Sequence, residues 1–71
     1  MTNTYYVNKD NTTNPKNNHE VHTSDCTYLP SSENRVYLGR FNSCRSAVSE
    51  AKQSFTNVDG CAVCCPNCHK K

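Results

Sequence analysis

Six cysteines and three histidines among 71 residues are the side chains of this sequence best suited to chemistry. Four of the cysteines crowd into the closing stretch "VDGCAVCCPNCHKK": Cys61, Cys64, Cys65 and Cys68, with His69 directly behind. They write two overlapping Cys-x-x-Cys knuckles, "CAVC" and "CPNC". Such a turn aims two sulfurs at one point, and zinc takes four nitrogen or sulfur ligands at the corners of a tetrahedron. A single Cys-x-x-Cys also serves redox chemistry, so the second half-site decides. Upstream, "HTSDC" offers His22 and Cys26 across a polar turn. His22, Cys26, Cys61 and Cys64 therefore make a discontinuous but complete set of metal ligands. Cys65, Cys68 and His69 are the alternative ligands, and Pro66 suits a knuckle shifted to "CPNC".

Size explains why a cross-link is expected at all. A chain this short buries only roughly 60% of the surface that its unfolded form exposes. Hydrophobic residues make up only 34% of the sequence, Trp is absent, and the mean hydropathy is -0.88. Small domains of this kind add disulfides, a structural metal or a partner chain. The N-terminus, "MTNTYYVNKDN", lacks the basic and apolar regions of a signal peptide, which predicts a cytoplasmic protein with thiols free or on metal. The "NTT" sequon at Asn11 carries no weight without secretion. A processed, secreted peptide with three disulfides is the competing reading. No apolar run approaches the length of a membrane span, so no membrane partner is expected.

Other function classes find little support. Eight basic against six acidic residues give a net charge of +2, scattered rather than clustered, unlike the dense footprint of a phosphate-binding surface. There is no Ser/His/Asp set and no pair of carboxylates, and two glycines are too few for a phosphate-cradling loop. The expectation is a protein that is not an enzyme.

The elements that must position the ligands can be read from pattern. "TYYVNK", residues 4–9, is short and rich in β-formers, and predicts a strand. The Asn-rich run at 10–18 predicts a flexible loop. "HEVHTSDCTYLP" has an extended start, a polar turn at Thr23 to Asp25 and an apolar patch at Tyr28 and Leu29. "RVYLGRF", residues 35–41, predicts a strand with Val36 and Leu38 on one face and Tyr37 and Phe41 on the other. In "NSCRSAVSEAKQSF", residues 42–55, Cys44, Ala47, Val48, Ala51 and Phe55 form one helical stripe, with Asn42 or Ser43 as N-cap. "TNVDG" breaks the helix, and Asp59-Gly60 reads as a turn pair delivering the chain into Cys61. The sum is a single α+β domain over 1–71: a small antiparallel sheet of about three strands with one α-helix, stabilised by metal.

The combination "HTSDC … YLGRF … SAVSEA … CAVC" resembles the zinc-binding domain at the N-terminus of Ada-type DNA repair proteins. That resemblance implies zinc at His22, Cys26, Cys61 and Cys64. The longer pattern "YYVN … HEVH … C … LP … N … YLG … F … C … AV … AK … DGC … C … CH" is similar to a group of small bacterial proteins of uncharacterised function, and spans nearly the whole chain. His22 stands where the repair domain has a cysteine, and one cysteine of that pair is the methyl acceptor. The resemblance thus implies a fold and a metal site, not methyl transfer.

Cys44, on the apolar stripe, reads as core filler, with a disulfide to the C-terminal tail as the alternative under oxidising conditions. His19 reads as plain surface, and His69 as a ligand or part of a frayed tail. Tyr5, Tyr6, Tyr28, Tyr37, Phe41 and Phe55 read as the core rather than as a base-stacking platform. The leading function is a non-catalytic zinc-binding module meeting a protein or nucleic acid. The alternatives are thiol-based metal handling or redox sensing by the surplus cysteines, and a small protein held by disulfides.

Overall fold

The computed structural model describes residues 2–9 and 19–69. The Asn-rich loop expected at 10–18 lies outside them. The described chain is α+β, with four strands and one α-helix. In chain order these are β1 (Asn3–Asn8), β2 (His19–Thr23), β3 (Arg35–Phe41), α1 (Cys44–Ala51) and β4 (Val58–Gly60).

The strands lie in the order β3-β1-β2-β4. β1 pairs antiparallel with both β2 and β3, while β2 and β4 run parallel. The sheet is therefore mixed and has one strand more than the sequence pattern indicates. The extra strand is Val58–Gly60, which reads locally as part of a turn. Its main-chain groups pair with β2, and all three residues are buried. A three-residue strand has no periodicity to reveal it.

Tyr5, Val7 and Val21 fill one face of the sheet and pack against Ala47 and Ala51 of α1. Both alanines are wholly buried, and their small side chains let the helix lie close on the strands. Cys44, Val48 and Phe55 flank the same cluster, so the predicted apolar stripe is the packed stripe. The helix is shorter than residues 42–55 and begins after Ser43, whose side chain accepts from the Ser46 backbone amide.

β3 departs from the simple alternation expected of it. Tyr5 pairs with Gly39 but Tyr6 pairs with Tyr37, so Leu38 is the extra residue of a bulge. Gly39 takes φ +124°, a conformation that side chains other than hydrogen disfavour. The bulge reverses the parity of the strand. Phe41 consequently joins Val36 and Leu38 on the core side, 6.2 Å from the Tyr5 ring, instead of sharing a face with Tyr37.

Tyr37 and Tyr28 are 61% and 65% exposed, so two of the aromatics expected in the core lie on the surface. Tyr6 is half-buried, meeting the Tyr37 ring edge-on at 5.7 Å, with the Arg35 guanidinium 4.7 Å above it. His19 moves the other way. Its ring lies 4.3 Å from that of Phe55 and Nδ1 meets the Asn8 carbonyl at 2.8 Å, so it is a packing residue rather than plain surface.

Candidate metal centre

The register of β2 on β1 sets the first ligand. Val21 and Thr23 pair with Val7 and Tyr5 on the core face, so His22, opposite Tyr6, projects from the other side. The residue is 1% exposed. The chain then turns through "TSDC". Thr23 Oγ1 donates to Asp25 Oδ1 at 2.8 Å, and the Cys26 amide donates to the Thr23 carbonyl at 3.1 Å, which brings Cys26 back beside His22.

β4 delivers the second pair. Gly60 stands opposite Val21, and the Cys61 amide donates to the Val21 carbonyl at 3.0 Å, fixing Cys61 next to His22. The Cys65 amide closes the knuckle on the Cys61 carbonyl at 2.8 Å, and the Thr23 amide donates to Cys64 Sγ at 3.4 Å. The knuckle leans tightly on the strand. A Cβ at Gly60 would lie 2.7 Å from Cys68 Cβ and 2.9 Å from the Cys65 carbonyl oxygen. The glycine that reads as a turn residue is there because the backbone passes so close.

The ligand atoms of His22, Cys26, Cys61 and Cys64 all lie within 4.8 Å of one another. Cys26 Sγ is 3.9 Å from Cys61 Sγ, and Cys64 Sγ is 3.9 Å from His22 Nδ1. Sulfurs bound tetrahedrally to a metal at about 2.3 Å sit about 3.8 Å apart, so the cluster is close enough to hold a metal ion. The structure brings together the four residues that the spacing singled out.

The ring of His22 is held from behind. Nε2 lies 3.1 Å from Asn8 Oδ1, with Glu20 Oε1 at 4.0 Å. Donation from Nε2 leaves the Nδ1 lone pair toward the sulfurs, the usual outer partnership of a metal-binding histidine. Burial lowers the His22 pKa, which keeps the ring neutral as ligation requires, and burial pushes the Cys26 thiol up. Asn8 was not legible as part of the site. It enters only through strand pairing, and no local signal marks it.

The alternative ligands go elsewhere. Cys65 Sγ is 4.0 Å from Cys64 Sγ but is 1% exposed and belongs to the apolar core. Its thiol is pushed up to about 12, first by burial and then by the neighbouring Cys64. His69 Nδ1 lies 3.1 Å from the Gly60 carbonyl and 3.3 Å from Asp59 Oδ2, so its ring is fastened to β4. Cys68 is bonded to Cys44. This corrects two expectations: Cys44 is not free core filler, and the thiols are not all free or on metal. The bridge spans 24 positions and ties the start of α1 to the end of the knuckle, and closing a loop of that size stabilises by roughly 3 kcal/mol in the chain-entropy picture.

Comparison with protein-family models, curated proteins and solved structures finds no match for this chain. The site and fold therefore define a class by their own geometry: a small α+β domain with a Cys3His cluster of metal-binding size and one disulfide. No helix among the described residues is long and apolar enough to cross a membrane.

Proposed function

We propose that this protein is a non-catalytic zinc-binding module. Its metal is structural, and its exposed surface meets a protein or a nucleic acid. The observation that carries the reading is the convergence of His22, Cys26, Cys61 and Cys64 to within 4.8 Å, from turns 35 positions apart. Three thiolates and an imidazole favour zinc over harder cations. Four protein ligands fill the tetrahedron and leave no position for water or substrate, which speaks for structure rather than hydrolysis. The likeness to the Ada-type domain agrees with this reading and rests on motif spacing alone.

Large exposed hydrophobic residues support a partner surface. Val63, 59% exposed, sits at the tip of the Cys61–Cys64 knuckle, and Tyr28 stands two residues beyond Cys26. Tyr37 extends the cross-strand row formed by His22 and Tyr6. The metal holds the two turns that present Val63 and Tyr28, so it would shape the surface without touching the partner.

Native mass spectrometry tests the metal. One zinc ion and one disulfide per chain, with loss of fold on chelation, is the expected result. A metal-free protein lighter by six hydrogens would instead establish three disulfides.

A further inference from the structure

The disulfide involves none of the four clustered ligands, and both its residues line open cavities. The lining of one cavity, of roughly 320 Å³, includes Arg45, Lys52, Asp59, Asn67 and Cys68. A second, of roughly 350 Å³, shares Arg45, Asn67 and Cys68 with it and adds Ser43 and Cys44. Both sulfur-bearing residues are thus reached from solvent, in a space that accepts a peptide-sized molecule.

The walls are cationic. Arg45 and Lys52 lie two turns apart on one side of α1, both exposed. Neither has an acidic partner among the described residues. The carboxylate in the same wall, Asp59, is 3% exposed and faces His69 Nδ1 at 3.3 Å. A ligand entering the groove therefore meets two exposed positive charges, without an acidic partner among the described residues, before a buried, engaged negative one.

The two sulfurs differ as leaving groups. Cys44 is the first residue of α1, directly after its N-cap Ser43. The partial positive charge of a helix N-terminus stabilises a thiolate there, and the better-stabilised thiolate leaves faster in exchange. Cys68 closes the short turn Pro66–Cys68 and has no such helix behind it.

We propose that Cys44–Cys68 is a thiol-exchange site whose groove takes a low-molecular-weight thiol bearing carboxylates. The incoming thiolate forms a bond to Cys68 Sγ. The Cys44–Cys68 bond breaks, and its electron pair goes to Cys44 Sγ as a thiolate at the start of α1. A second equivalent of thiol attacks the mixed disulfide, releases the small disulfide and leaves both cysteines reduced. The protein disulfide gains two electrons and two thiol molecules supply them. The zinc ligands take no part in the exchange itself.

The test compares reduced glutathione, which carries two carboxylates, with neutral 2-mercaptoethanol on the purified protein as isolated, at matched thiolate concentration. Adducts are mapped by mass spectrometry after acid quenching. The expected result is a glutathione adduct on Cys68, formed about tenfold faster than the neutral adduct at low salt, a usual size for electrostatic focusing in a charged cleft. The double substitution Arg45→Ala, Lys52→Ala should remove that preference and leave the neutral rate unchanged. Equal rates for the two thiols overturn the proposal, as do equal slowing of both in the variant, an adduct on Cys44 and no exchange at all.

Discussion

His22 is gripped from both sides of its ring: Nε2 lies 3.1 Å from Asn8 Oδ1, and Nδ1 faces Cys64 Sγ at 3.9 Å. Asn8 closes β1 and His22 belongs to β2, so strand pairing itself aims a ligand at the sulfur cluster.

The first prediction follows from that grip. Asn8→Ala leaves all four ligands in place but frees the ring to rotate. Zinc affinity, measured by competition with a chromophoric chelator, should fall by about tenfold or more, the usual effect of losing an outer-shell partner. His22→Ala should lose the metal outright. Unchanged affinity in Asn8→Ala would mean that packing alone orients the imidazole.

Ligand identity divides the cysteines into three groups. Cys26→Ser and Cys61→Ser should each lose zinc and fold at neutral pH, because a structural metal contributes directly to folding free energy. Cys65→Ala should keep the metal. Cys44→Ser with Cys68→Ser should also keep it, at a cost of roughly 3 kcal/mol for the lost cross-link. Elemental analysis with circular dichroism separates the groups. Metal loss from Cys65→Ala would identify "CPNC" as the true knuckle.

Gly60→Ala probes the close approach of the knuckle to β4. The added methyl meets Cys68 Cβ at 2.7 Å and the Cys65 carbonyl oxygen at 2.9 Å, and at least one of these is backbone that cannot swing aside. A loss of about 1–3 kcal/mol in denaturant unfolding is expected, as for other overpacked sites. A neutral result would show that the turn Pro66–Cys68 can lift from the strand.

Cys65 sets a limit in alkali. Its folded-state thiol is pushed up to about 12, above the ordinary cysteine value, so the unfolded chain loses the proton first. The stabilisation is complete below the ordinary value and is lost as pH rises from there toward about 12. The protein should therefore lose stability over that range, and Cys65→Ala should lose less. Parallel curves for the two proteins would assign the alkaline loss to other groups.

The sequence by itself determined the features that rest on short-range patterns. The His22–Cys26 pair, the Cys61–Cys64 knuckle and the apolar stripe of α1 are all written within a few residues, because a turn or a helix brings near neighbours together. The α+β class followed from the change of period between residues 35–41 and 42–55.

Tertiary structure decided whatever depends on which distant segments meet. β4 exists because β2 offers it hydrogen bonds, not because "VDG" favours extension. The bulge at Leu38 turns Phe41 inward, and within "RVYLGRF" Gly39 is the one local mark of it, without showing which way Phe41 then faces. Asn8 reaches His22 only through the β1–β2 register, and Cys44 finds Cys68 only because α1 lies against the end of the knuckle. Gly60 shows the difference at one residue. Its identity suggests a turn, but the crowding of Cys65 and Cys68 over its Cα is what excludes a side chain, and that is a property of the packed chain.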